Sequence, residues 1–367
     1  MNVVFRADAN INIGMGHIMR CLSIADAFSN AGCNVEFLIA DKDVSMLIND
    51  RGYEVIILNA DYKCLEEELI LWPIDLHPEI IIVDSYYVTG LYLRRLHEKT
   101  KSTGGKLVYI DDVYTFPYPV DILVDYNAYS NDSIYESLYK EATVEKPKTV
   151  LGPSYAPVRS MFRDIPKRIQ PKNVKNILIS TGGSDGLHLA FALIQDITDP
   201  SFKYDYVYHF LLGAMNTDKE QINKIVLNKQ NIVIHENVTD MKSLIQAVDL
   251  AISAAGSTLY EISACGVPLI TYSLADNQVP GAEAFERLGL AVNIGDLRAP
   301  SSIDTNYLGS GLLDENAVQR ILIAADALAT NYDYRCEMAT RMQAMIDGLG
   351  ADRIVQEILK LCEGHDL

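Results

Sequence analysis

Residues 176–194 read Asn-Ile-Leu-Ile-Ser-Thr-Gly-Gly-Ser-Asp-Gly-Leu-His-Leu-Ala-Phe-Ala-Leu-Ile. A short apolar run stops at a Gly-Gly turn and passes into a segment with Leu189 and Leu193 at helical spacing, which is the order strand, turn, helix. The run is continuous and does not alternate with polar residues, so a strand made from it is covered on both faces, as in a parallel sheet. The same grammar recurs downstream at 206–212, 232–235, 250–253, 269–272 and 291–294. Upstream it recurs at 3–6, 35–39, 54–58, 79–84, 107–111 and 122–125. The turn-rich stretch Leu151-Gly-Pro-Ser-Tyr-Ala-Pro-Val-Arg159 and the basic, proline-marked segment 163–175 separate the two series. The pattern predicts an α/β chain of two Rossmann-like, doubly wound domains, 1–158 and 159–367. Helices expected at 315–328, 334–345 and 352–362 cannot form a sheet and are expected to brace the two.

Composition narrows the function. The 367 residues suffice for two ordinary cores. With 31 Lys plus Arg against 49 Asp plus Glu, the net charge is −18, which disfavours nucleic acid and anionic lipid as partners. Every apolar run falls short of the roughly 18 residues a membrane span needs. The start, Met1-Asn-Val-Val-Phe-Arg-Ala-Asp8, reads as a strand and not as a signal peptide, so the cytoplasm is the expected compartment. Six cysteines without a CxxC pair read as free thiols, and no metal site is expected.

In open α/β sheets ligands bind beyond the carboxyl ends of the strands, so the loops after strands carry the candidates. The first is Ile13-Gly14-Met15-Gly16-His17-Ile18-Met19-Arg20. Gly14 and Gly16 permit a tight turn and close ligand approach, and His17 projects at the head of the helix. There the helix dipole disfavours imidazolium and helps keep a base neutral. A packing or capping role for His17 is the plain alternative. GxGxxG fails at Met19, so this is no dinucleotide fingerprint. The second loop, Thr181 to Asp185, offers the amides around Gly183 to a phosphate. In the third, Gly256, Ser257 and Thr258 lie at a helix start with Glu261 one turn on, suited to a diphosphate and a ribose diol or simply to capping. After the next strand, Asn277 and Gln278 can reach a phosphate or sugar. Polar strand ends at Asp84-Ser85-Tyr86-Tyr87, Asp111-Asp112 and Asp125-Tyr126-Asn127 can hold a sugar or serve as turn residues. An acidic chain that binds an anionic nucleotide must rely on amide dipoles and a few cations such as Arg6, Arg20 and Arg159.

Taken in order, Arg6-Ala7-Asp8, the 13–20 turn, Asp84-Ser85-Tyr86, Ser180 to Asp185, Ala255 to Glu261 and Asp347-Gly-Leu-Gly-Ala-Asp-Arg-Ile-Val355 resemble the UDP-2,4-diacetamido-2,4,6-trideoxy-beta-L-altropyranose hydrolases of pseudaminic acid biosynthesis. The likeness covers nearly the whole chain. Its Gly-Ser-Thr to Glu segment is shared more widely with GT-B glycosyltransferases such as the N-acetylglucosaminyltransferase of lipid II synthesis. The resemblance implies a GT-B fold with domains facing across a cleft. It also implies inverting hydrolysis at the sugar C1 without metal or cofactor, with a UDP-sugar as the partner. By the same resemblance His17 is the base, Tyr86 lies on the sugar side, Asn277 is a cleft asparagine, and Glu261 binds ribose beside Ser257 and Thr258 at the diphosphate. Residues 235–241 match a segment that reads uracil, and Asp8 joins the substrate-binding set. A glycosyltransferase on the same UDP site is the nearest rival, and a non-catalytic nucleotide-sugar sensor is the alternative from another class. Oligomeric state is not legible.

Overall fold

The computed structural model describes residues 1–10, 13–73, 76–299 and 312–363. The chain divides into two compact units, Met1–Ser160 with Gly348–Leu367, and Met161–Asp347.

The first unit carries strands β1 (Asn2–Ala7), β2 (Asn34–Ile39), β3 (Glu54–Ile57), β4 (Ile80–Asp84), β5 (Lys106–Ile110), β6 (Ile122–Asp125) and β7 (Lys148–Leu151). Its helices are α1 (Gly16–Asn30), α2 (Ser45–Asn49), α3 (Leu65–Glu68), α4 (Gly90–Ser102) and α5 (Asp132–Tyr139). The seven strands form one sheet in the order β3-β2-β1-β4-β5-β6-β7, parallel throughout. The order reverses between β1 and β4, which places the ligand-binding crevice of this unit at the carboxyl ends of those two strands. Residues Val3 to Ala7 of β1 and all of β4 are buried, as continuous apolar runs require. Helix α1 buries Ile18, Cys21, Leu22, Ala25 and Phe28, a stripe at helical spacing. Phe28 meets the edge of Phe5, which stacks on Phe37 of the neighbouring strand at 5.0 Å. Truncating such a ring to Ala costs about 3–5 kcal/mol.

The second unit carries β8 (Asn176–Ser180), α6 (Leu189–Thr198), β9 (Val207–Leu212), α7 (Lys219–Ile225), β10 (Ile232–Glu236), α8 (Met241–Ala247), β11 (Leu250–Ala254), α9 (Thr258–Ala264), β12 (Leu269–Ser273), α10 (Val279–Arg287) and β13 (Val292–Asp296). Helices α11 (Ala317–Thr330) and α12 (Tyr332–Met345) follow. Its six-stranded parallel sheet runs β10-β9-β8-β11-β12-β13, with the reversal between β8 and β11.

Two differences from the sequence expectation concern the ends of the first unit. Strand β7 was not expected, because Lys-Thr-Val-Leu after Pro147 is a short, half-polar edge element that lacks the apolar run of its neighbours. The last helix, α13 (Gly350–Glu363), groups with the first unit and not with 159–347. Gly350 lies so close to the Ala156 carbonyl that a Cβ there would sit 2.1 Å from the oxygen. Arg353 donates to the Ser154 carbonyl at 2.9 Å, and Lys148 pairs with Glu357 at 2.8 Å. Ile354, Val355 and Ile358 complete the docking with a buried apolar face.

Candidate functional site

In the first unit the register pairs Ala7 of β1 with Asp84 of β4, so the loops leaving these strands are neighbours. The chain after β1 turns at Gly14, whose φ of +73° is a glycine conformation, and its amide donates to the Asn10 carbonyl at 2.8 Å. Helix α1 then starts at Gly16, which sets His17 in the first turn with 4% of its surface exposed. Its Nδ1 lies 2.6 Å from Asp84 Oδ1. Arg20, one turn along α1, donates from Nε and Nη2 to the two oxygens of the same carboxylate at 2.6 and 2.5 Å.

These contacts fix the protonation pattern. Burial opposes ionisation of Asp84, but Arg20 and then His17 outweigh it and hold the carboxyl below its usual range. An ionised carboxylate only accepts, so the proton between the pair is on His17 Nδ1. In the neutral ring that leaves the Nε2 lone pair to take a proton, the arrangement of a general base oriented by a carboxylate. Arg20 Nη2 also lies 3.0 Å from Nδ1, but both carry hydrogen, and this is the meeting of two donors that share Asp84.

Tyr86 forms one wall. Its ring meets the imidazole edge-on with centroids 4.3 Å apart, and its hydroxyl donates to Asp112 Oδ2 at 3.2 Å. Burial and then Asp112 push the phenol above its usual range, so Tyr86 stays protonated. Asp8, Ile13, His17, Asp84 and Tyr86 line a small recess. The structure thus brings together His17, Tyr86, Arg20 and Asp8 from the sequence candidates. Asp84 was noted there only as a polar strand end.

One expected ligand-binding cation is placed differently. Arg6 is fully buried, with Nε and Nη2 on the two oxygens of Glu68 at 2.7 and 2.6 Å and Nη1 on Asp8 at 2.5 Å. Tyr92 donates to the same Glu68 at 3.1 Å. Arg6 therefore braces the carboxylate of Asp8 from inside the core and presents no donor to a ligand. Arg159 is half-buried at the end of the unit.

At the carboxyl ends of β5 and β6, Asp111 and Asp125 share one tyrosine hydroxyl. The Tyr135 hydroxyl is 3.0 Å from Asp111 Oδ2 and 3.1 Å from Asp125 Oδ2, Tyr118 donates to Asp111 at 2.8 Å, and Tyr114 donates to Asp125. Burial, against these bonds, pushes Asp125 up to about 6 and Asp111 above its usual range.

In the second unit, the reversal between β8 and β11 places three loops at one end of the sheet. After β8, Gly182, Gly183 and Ser184 are exposed. Asp185 caps α6 by accepting from the amides of Leu189 and Ala190 at 3.0 and 2.9 Å. The first amides of that helix are thus already occupied, and the amides left for an anion belong to the glycine turn. Gly213 packs against that turn so closely that a Cβ would lie 2.1 Å from the Gly183 carbonyl oxygen. After β11, Gly256 and Ser257 are exposed, and Ser257 stands at the N-cap of α9 without a side-chain capping bond. Thr258 opens the helix, and Glu261 follows in its first turn with 9% exposure. After β12, Asn277 is exposed, whereas the Gln278 amide oxygen accepts from Leu274 at 2.8 Å and shapes the loop.

Sequence reading did not single out His188. Its Nδ1 is 2.7 Å from Asp218, which raises the imidazole above its usual range, and it ends the loop that begins at Gly182. Of the segment 235–241, His235 stacks on His209 with centroids 5.3 Å apart, and Asp240 caps α8 through the Ser243 amide.

The model of the glycosyltransferase family 28 C-terminal domain matches residues 177–317. Over 98% of this chain and 100% of the other, the fold superposes on the crystal structure of MurG from Acinetobacter baumannii with a TM-score of 0.63 at 16% identity. The fold is GT-B. Among curated proteins, this GT-B chain is 23% identical to the spore coat polysaccharide biosynthesis protein SpsG of Bacillus subtilis over 99% of both. It is 29% identical to the UDP-2,4-diacetamido-2,4,6-trideoxy-beta-L-altropyranose hydrolase of Campylobacter jejuni over 70% of this chain and 85% of that one. An uncharacterized protein of Methanocaldococcus jannaschii is 28% identical over 74% of the GT-B chain, which spans 55% of that protein's length.

Proposed function

We propose that this protein hydrolyses a UDP-linked 2,4-diacetamido-2,4,6-trideoxyhexose to the free sugar and UDP, with inversion at C1, as a step of nonulosonic acid synthesis. The observation that carries the reading is the 2.6 Å contact between His17 Nδ1 and Asp84, which leaves Nε2 as an oriented base. Water attacks C1 as its proton passes to Nε2. The C1–O bond to the diphosphate breaks, and UDP departs with the electron pair. Asp84 stabilises the imidazolium that forms. For the diphosphate, this reading assigns groups of the second unit: the amides around Gly183, the α9 start at Gly256, Ser257 and Thr258, and the Asn277 loop take up phosphate charge. Each well-placed donor contributes about 3 kcal/mol. Glu261 accepts from the ribose diol. Tyr86 and Asp8 face the sugar. The relative named for this hydrolase in Campylobacter jejuni supports the choice of substrate.

Proton NMR of the protein with that UDP-sugar, in EDTA and beside UDP-N-acetylglucosamine, tests the reading. Release of UDP with the inverted anomer appearing first is expected. The family 28 domain match favours a second reading, transfer of the sugar to an acceptor from the same UDP site. Measurable UDP binding with no release from either compound decides for it.

A further inference from the structure

Arg20 stands in the sequence as a candidate ligand of the substrate, but its donors are already committed. Of its five N–H groups, Nε and one on Nη2 go to Asp84, and those on Nη1 go to Asp112 at 3.0 Å and Tyr126 at 3.1 Å. The fifth faces the imidazole edge. The side chain is 11% exposed, and Tyr126 lies under the guanidinium at 5.7 Å. Asp112 in turn accepts from Tyr86, whose ring packs on His17. The contacts close a ring: His17, Asp84, Arg20, Asp112, Tyr86 and back to His17.

We propose that Arg20 is a positioning residue that locks the base and the tyrosine wall into one geometry and supplies the countercharge to Asp84, and that it makes no contact with the UDP-sugar. The role rests on the hydrolase reading, within which it assigns a task to Arg20. The ionisable groups around His17 are Asp84 at the end of β4, Tyr86 in the next loop, Arg20 on its own helix and Asp8 after β1. Asp112 after β5 and Tyr126 after β6 lie behind the guanidinium. Without Arg20, two carboxylates face the site with no countercharge, so imidazolium is favoured and the base is lost at a pH where the wild type works. The rotamer of Tyr86 also loses its anchor, because Asp112 swings free.

Arg20→Gln removes the charge, and Arg20→Lys keeps it but loses the planar fork. For Arg20→Gln we expect kcat about a hundredfold lower, KM within threefold, and the acidic limb of the pH–rate profile moved to higher pH. For Arg20→Lys we expect the kcat loss with a smaller movement of the limb. A KM rise with kcat intact would mean that Arg20 binds substrate and overturns the proposal, as would an unmoved limb in a folded Arg20→Gln. If Arg20→Gln does not fold, an unchanged kcat in Arg20→Lys overturns it. Nitrogen-15 NMR of the histidine rings reads the same coupling without turnover: Arg20→Gln, or Arg20→Lys in its place, is expected to raise the His17 titration midpoint, and an unchanged midpoint overturns the role. A wild type inert towards every UDP-sugar would sink the hydrolase reading while leaving this NMR comparison decisive for Arg20.

Discussion

The carboxylate of Asp84 lies 67 residues from His17 in the chain and 2.6 Å from its Nδ1 in space. If that bond fixes the tautomer, Asp84→Asn turns the imidazole the wrong way, because an amide nitrogen presented to Nδ1 demands an acceptor there. Turnover is expected to drop about 10³- to 10⁴-fold, with UDP affinity by calorimetry within twofold of wild type. A variant that keeps a tenth of its kcat would show that the carboxylate does not orient the base.

Replacing His17 by Ala removes the proposed proton acceptor together with its contacts to Asp84 and Tyr86. Single-turnover assays are expected to show near-complete loss of sugar release. Calorimetric titration with UDP is expected to match wild type, because the proposed reading assigns the nucleotide contacts to the second unit. Retained release would assign the base to another group.

Asp125 gives the protein a pH-dependent stability of predictable sign. Its folded pKa of about 6 lies above the roughly 3.9 of an unfolded chain, so the folded state holds the proton more tightly. Stability from this group is therefore full below pH 4 and is lost as the pH rises through 6, by on the order of 3 kcal/mol. Asp125→Asn keeps an acceptor for the Asn127 amides, and its NH₂ faces hydroxyls of Tyr114 and Tyr135 that can rotate to accept. Thermal melts should therefore show the variant gaining on wild type between pH 5 and pH 8. A Tm difference that does not change over that range would mean that Asp125 is ionised throughout.

Gly213→Ala tests the glycine turn after β8 from behind. The new methyl would lie 2.1 Å from the Gly183 carbonyl, so that loop must move. UDP binding is expected to weaken at least tenfold, about 1.4 kcal/mol, while the His17 ring signals in NMR stay in place. Unaltered UDP affinity in a folded variant would separate the turn from the nucleotide.

The fold was legible because strands buried on both faces announce themselves as unbroken apolar runs; β4, Ile-Ile-Ile-Val-Asp, is readable at sight. Strand β7 was not, since an edge strand has only one paired side to satisfy. The periodicity of α13 declares an amphipathic helix but cannot say which sheet it covers; that is decided by the fit of Gly350 against Ala156. At the site, the glycine turn placed His17 at a helix head correctly. The partners were beyond local pattern: Glu68, which takes Arg6 out of contact with ligands, is 62 residues from it, and Asp112 is 92 from Arg20. Charged residues read alike in sequence whether they will meet a ligand or each other. The pairing of His188 with Asp218, 30 residues on, is hidden in the same way.

The docking of α13 also bears on synthesis. The second unit is one uninterrupted stretch, Met161–Asp347, whereas the first is made of two pieces that enclose it. As the ribosome delivers the chain, the later-encoded unit has all its residues in hand before the earlier one does. Helix α1, which carries His17, lacks its α13 neighbour until Ile354, Val355 and Ile358 emerge. The usual order of domain completion, amino-terminal first, is thereby inverted. A nascent chain that has emerged only as far as Asp347 would carry a complete second unit and an incomplete first one.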